Sequence, residues 1–154
     1  MPTAHTLVSN EVFELNAPPD LVFPLLCPTR EHDWIPTWRA TIVHSKSGLA
    51  ELDCVFTTDN SEDGHRTWVC THYEPRRAIG YTIFSTAGYV SRLDIRLDPY
   101  GNGTRVHWSR RFIACSDEGN AWIDSRDPDR VASTTRMLAK LLAHYLETGT
   151  MLRA

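Results

Sequence analysis

The sequence contains no apolar run close to the roughly 20 residues that a membrane-spanning helix needs. It has no marked excess of either charge: 16 Lys and Arg stand against 19 Asp and Glu, a net charge of −3. Such a balance carries no electrostatic footprint for nucleic acid or for an anionic membrane surface. Met1 to Asn10 lack the charged-then-apolar order of a secretory signal, so a cytoplasmic protein with reduced thiols is expected. Cys27, Cys54, Cys70 and Cys115 fall in no CxxC or CxxH spacing, which argues against a zinc module. GxSxG, HExxH, P-loop and GxGxxG patterns are missing as well. The seven histidines form no helical pair at metal spacing. A group of His44, Cys70 and His72 across strands is the one metal arrangement left, and neither metal nor cofactor is expected.

What remains is a chain of 154 residues, 42% hydrophobic and 23% charged, without repeats or low-complexity tracts. This is the composition of one globular domain, read as residues 1–154. A domain of that size hides roughly 70% of its unfolded surface, enough for a core without disulfides. Five tryptophans is a high count for so short a chain, and their placement guides the rest of the reading.

Thr6 to Leu15 is rich in β-formers and predicts a strand. Asn16-Ala17-Pro18-Pro19-Asp20 then starts a helix that Pro24 must keep short. Arg30 to Trp34 predicts a further helical turn, stopped by Pro36. Strands follow at Arg39–Lys46, Leu49–Thr58, Arg66–Glu74, Ala78–Thr86, Tyr89–Asp98 and Thr104–Ile113. The breaks between them are too short for parallel returns, so the strands form an antiparallel meander. Asp127 as N-cap, Pro128 at the first position and Gly149 as closing residue delimit a long C-terminal helix. Some twenty residues at ~1.5 Å each span about 30 Å, enough to cross the face of a sheet.

Alternation assigns faces. Leu93, Ile95 and Leu97 alternate with Arg92, Asp94, Arg96 and Asp98, as Val106, Trp108 and Phe112 do with Arg105, His107 and Arg111. A two-residue turn at Asn102-Gly103 would set Leu97 beside Trp108, Asp98 beside His107 and Asp94 beside Arg111. A symmetric hairpin over Asp59–His65 would set Phe56 opposite Trp68, Cys54 opposite Cys70 and Leu52 opposite His72. Tyr81 and Ile83 are expected to face inward. The inner face then carries Phe56, Trp68, Leu93, Ile95 and Trp108, with Arg110 and His72 as polar intruders.

Leu15-Asn16-Ala17-Pro18-Pro19-Asp20-Leu21-Val22-Phe23-Pro24-Leu25-Leu26, Glu31-His32-Asp33-Trp34-Ile35-Pro36-Thr37-Trp38 and Gly103-Thr104-Arg105-Val106-His107-Trp108 resemble the START-like (SRPBCC) superfamily. That superfamily includes polyketide cyclases and dehydrases, pollen-allergen-type binders and lipid-transfer domains. The resemblance runs from about Thr6 to Gly149, with Pro24 as a departure that suggests a kink. It implies an α+β helix-grip fold: a curved seven-stranded antiparallel sheet wrapped around a long C-terminal helix, with two short helices after the first strand. It also implies a ligand cavity between sheet and helix.

On that frame the expected ligand-lining residues are Trp34, Trp38, Phe56, Trp68, Tyr81, Leu93, Ile95, Trp108, Arg110, Met137 and Leu141. Trp34 and Trp38 either line an entrance or plug the open end of the core. Glu31, His32 and Asp33 near the presumed mouth, with His72 and Arg110, are the acid–base candidates, Asp33, His72 and Arg110 being the named catalytic ones. Two functions follow: binding of a small hydrophobic or aromatic molecule, or a cyclase or dehydratase-like reaction in the same cavity. A third reading, an interaction module, requires a filled core. A homodimer stays open; nucleic acid and membrane are not expected partners.

Overall fold

Period-two alternation from Ala40 onward, broken by turn residues, builds a seven-stranded sheet in the computed structural model, which describes residues 3–60 and 62–153. The strands are β1 (Thr6–Leu15), β2 (Ala40–His44), β3 (Val55–Asn60), β4 (Gly64–Glu74), β5 (Ala78–Ser85), β6 (Tyr89–Tyr100) and β7 (Gly103–Ala114). Their order is β1-β7-β6-β5-β4-β3-β2, with every neighbouring pair antiparallel. Helix α1 (Pro19–Val22) and 3-10 turns at Phe23–Leu26 and Arg30–Asp33 separate β1 from β2. Pro24 lies in the first of these turns, which accounts for the short α1. Helices α2 (Asp117–Asp124) and α3 (Pro128–Thr148) complete the chain. This is the helix-grip fold.

Helix α3 begins and ends where the capping residues dictate. Asp127 accepts a hydrogen bond from the Asp129 amide, Pro128 occupies the first turn, and Gly149 closes the helix with φ 71°. The helix buries Thr135, Leu141 and Leu142 against the sheet's inner face. Helix α2 was not foreseen. Its signal is Ser116, whose side chain accepts from the Gly119 amide, with Asp117 and Glu118 in the first turn. It packs on a second apolar cluster around Tyr89, Phe112, Ala114 and Ile123.

Three sequence expectations need correction. The β6–β7 turn is Gly101-Asn102, with Gly101 at φ 58°, so Ile95 pairs with Trp108, Leu97 with Val106, Asp98 with Arg105 and Asp94 with Ser109. The shift is two residues, which leaves every side chain on its expected face. Asp98 still meets His107 as a diagonal ion pair at 3.1 Å.

The third strand starts at Val55, and Leu52 is exposed rather than inward. Asp53 turns the backbone into the left-handed region at φ 69°, while Glu51 folds the preceding segment onto itself by accepting from the Ser47 and Lys46 amides. Phe56 does oppose Trp68, and the Cys70 amide donates to the Cys54 carbonyl as the hairpin predicts.

His72 does not face inward. Cys70 pairs with Tyr81 but His72 pairs with Gly80, so Thr71 is an extra residue, a β-bulge in β4. Beyond it the alternation reverses. His72 is exposed on the outer face beside Glu74, at 3.2 Å, and Tyr73 turns in to pack on Phe23 with ring centroids 5.6 Å apart.

Candidate functional site

The inner face of the sheet is aromatic because β3, β4 and β5 each place a ring at the same level. Phe56 stacks on Trp68 at 5.1 Å, and Tyr81 meets both edge-on. Trp38 closes against this group, edge-on to Phe56 and Trp68. Beside it a pocket of about 320 Å³ opens between the sheet and the N-terminal half of α3. That volume lies at the lower end of the range for small-molecule sites. Trp38, Trp68, Tyr81, Leu93, Ile95 and Trp108 form its apolar walls, and Val131, Thr134, Thr135 and Leu138 line it from α3.

The expected lining residues therefore divide. Trp38, Trp68, Tyr81, Leu93, Ile95, Trp108 and Arg110 line the pocket. Trp34 is fully buried and donates its indole N–H to the Leu25 carbonyl at 2.8 Å, so it plugs the core. Trp38 donates to the Pro28 carbonyl and keeps its ring on the pocket. Phe56 and Leu141 are core residues behind the walls. Met137 is 53% exposed: one position before Leu138 on the helix, it points away. Leu141 and Leu142 fill the space one turn further along α3, which confines the pocket to that helix's first half.

The acid–base candidates also separate. Asp33 is exposed and ion-paired to Arg30 at 2.9 Å. His32 is exposed, and His72 lies on the opposite face of the sheet. Cys70 is buried on the inner side, so it and His72 do not converge, and no group of three metal-ligating side chains occurs among the described residues.

Glu31 is the candidate that reaches the pocket. It lines the pocket together with Leu26, Ile35, Trp38 and Tyr81, and burial raises its pKa from 4.5 to about 8. It is therefore mostly protonated at neutral pH. The nearby Tyr81 hydroxyl donates to the Leu26 carbonyl, and its pKa stands well above the ordinary tyrosine value, through burial first and then the Glu31 charge.

The opposite end of the pocket is cationic, which sequence reasoning found only in part. Arg110 donates to Ser91 Oγ at 3.1 Å and lies over the Phe112 ring at 4.7 Å. Arg66 lies over Trp68 at 5.0 Å, with Asp63 at 3.8 Å from its Nη1. Both Nε atoms are buried without a hydrogen-bond partner among the described residues. Burial, then repulsion from Arg66, lowers the Arg110 pKa to about 10, which still leaves it charged at neutral pH. Arg66 was assigned to a strand but to no face; its position two residues before Trp68 is the signal that places it inward.

The rim on that side is held by one residue. Trp122 Nε1 and Arg126 Nη2 both donate to the Glu62 carbonyl, and Arg130 pairs with the Glu62 carboxylate at 2.8 Å. These bonds tie the β3–β4 hairpin to the α2–α3 junction.

A buried aromatic wall, a pocket under a long helix and this strand order define a START-like domain. The family model described as polyketide cyclase / dehydrase and lipid transport matches residues 6–144, and the chain belongs to that family. Among solved structures the fold is similar to Mll3558 from Rhizobium loti, at 16% identity and TM-score 0.68, covering 93% of this chain and 99% of that one. It is similar to Ara h 8.0201 at 16% identity and TM-score 0.65, covering 94% and 99%. It is also similar to the Aha1 dimer from Colwellia psychrerythraea at 14% identity and TM-score 0.66, covering 93% and 97%. At these identities the likeness is one of fold. Comparison with curated proteins finds no match. No helix is long and apolar enough to cross a membrane among the described residues.

Proposed function

We propose that this protein binds a small hydrophobic or aromatic molecule in the pocket between sheet and α3. The observation that carries the reading is the wall of Trp38, Trp68, Tyr81 and Trp108 around about 320 Å³ of space, with Glu31 at one end and the arginines at the other. Apolar walls and a small number of placed polar groups are the usual make-up of a ligand site. Membership of a family described by both cyclisation and lipid transport supports it.

The test is native mass spectrometry and thermal shift against a panel of apolar metabolites, on wild type and on Leu138→Trp. Leu138 lines the pocket and is half-buried, so an indole there occupies the space from the helix side. A ligand at 100 times its dissociation constant adds roughly 2.7 kcal/mol to wild type. Loss of that gain in a folded Leu138→Trp protein is the expected result. Binding to both proteins alike, or to neither, would sink the reading.

A second reading is favoured by Glu31 alone. A carboxyl raised to about 8 beside apolar walls is a proton donor at neutral pH, as a cyclase or dehydratase-like reaction requires. On that reading Glu31→Gln retains ligand and loses turnover, and wild-type activity falls as pH rises through about 8.

A further inference from the structure

Two guanidiniums share the β4–β7 end of the pocket with too little to hold them. Arg66 has Asp63 at 3.8 Å, longer than a hydrogen bond. Arg110 has one hydroxyl, Ser91, and aromatic faces. Over the whole lining, Arg66, Arg110, Arg126 and Arg130 stand against the carboxylates of Glu62, Asp63 and Asp127, which leaves one positive charge uncompensated. Both Nε–H groups are buried and unpartnered among the described residues. An unpaired buried donor on a charged group is costly, so the arrangement makes sense where something else supplies the acceptor.

Water would satisfy hydrogen bonds but not the charge. Glu31 does not neutralise it, for burial alone perturbs that carboxyl and it stays mostly protonated. At the rim, Arg130 takes the Glu62 carboxylate, and Arg126 donates to the Glu62 main-chain carbonyl with its own Nε unpartnered among the described residues. The missing partner is a single negative charge with planar acceptor geometry, which is what a guanidinium fork prefers.

We propose that the Arg66–Arg110 end of the pocket is an anion subsite, and that the ligand is an aromatic or alicyclic carboxylate. Its ring lies among Trp68, Trp108 and Leu93, and its carboxylate lies between the two guanidiniums. A phosphate monoester fits less well, since its charge approaches −2 and would leave the excess on the other side. The inference rests on the pocket being a ligand site and specifies the chemistry of what enters it.

The experiment uses a matched pair of probes, 2-naphthoate and 2-naphthalenemethanol, which share a ring system and differ in charge. Each is titrated calorimetrically at pH 7 into wild type, Arg110→Met and Arg66→Met, with melting curves recorded for all three proteins. In wild type the acid should bind at least about tenfold tighter than the alcohol, the scale of a charge-assisted hydrogen bond. That preference should shrink with rising salt and collapse in both variants. Equal affinity for acid and alcohol in wild type overturns the anion subsite while leaving the apolar pocket standing. An acid preference that survives in folded variants also overturns it. Failure of both probes to bind wild type counts against the pocket itself. If a variant does not fold, the wild-type comparison and its salt dependence decide.

Discussion

Replacing Glu31 by glutamine should stabilise this protein, by an amount that grows with pH. Burial holds the Glu31 carboxyl at about 8 in the folded state against 4.5 for an ordinary glutamate. Between those values the folded chain keeps a proton that the unfolded chain has released. Stability linked to this group is therefore fully present below 4.5 and is lost as pH rises through about 8. Each pH unit in the window is at most about 1.4 kcal/mol, so the difference between 4.5 and 8 sets a ceiling of about 5 kcal/mol. Glu31 is half-buried and its pocket is open to solvent, so the loss stays below that ceiling. Glutamine matches the protonated acid in shape and carries no charge. Urea unfolding of both proteins at half-unit steps from pH 4.5 to 8 reads the effect as a difference, in which other titrating groups cancel. The two curves should coincide at the acid end and separate by up to about 4 kcal/mol at pH 8, with the variant more stable. A difference that stays flat across the window would refute the account of Glu31 as a desolvated carboxyl.

Two further predictions concern the scaffold. Gly119→Ala should cost at least about 2 kcal/mol in urea unfolding, because a Cβ there would overlap the Gly88 carbonyl where α2 docks on the β5–β6 turn. An unchanged midpoint would show that this contact yields easily. Glu51 accepts from Ser47 and Lys46 and is held at about 2, so its folding contribution is present above 4.5 and lost as pH falls through about 2. A carbon-detected NMR titration of its carboxyl should show that low midpoint, and one near 4.5 would contradict the hydrogen-bonded loop.

The parts of this fold that could be read from sequence are those governed by local rules. Asp127, Pro128 and Gly149 bounded α3 because capping chemistry acts within one turn. The faces of β6 and β7 followed from alternation, and they survived a two-residue error in register because side chains return to the same face every second residue. The β4 bulge was not legible, since one unpaired residue leaves no mark in composition, and His72 was turned the wrong way with it. The cationic end of the pocket was half visible. Arg110 stood out as a charge on an apolar face, whereas Arg66 is inward by parity alone, and the surroundings that leave its Nε unpartnered among the described residues come from strands distant in sequence. Glu31 was named among three neighbours; only packing separates it from Asp33 two residues on.

The extra residue in β4 has an evolutionary meaning as well. Pairing Thr71 into a regular ladder, in place of leaving it as the extra residue, would exchange the faces of the residues after it. His72 would turn toward the core and Tyr73 toward solvent. The bulge thus decides whether an aromatic ring or an imidazole lies inside the domain, a larger chemical difference than most point substitutions make. A chain of this architecture that lacks the residue at this position would keep the same faces on a regular strand.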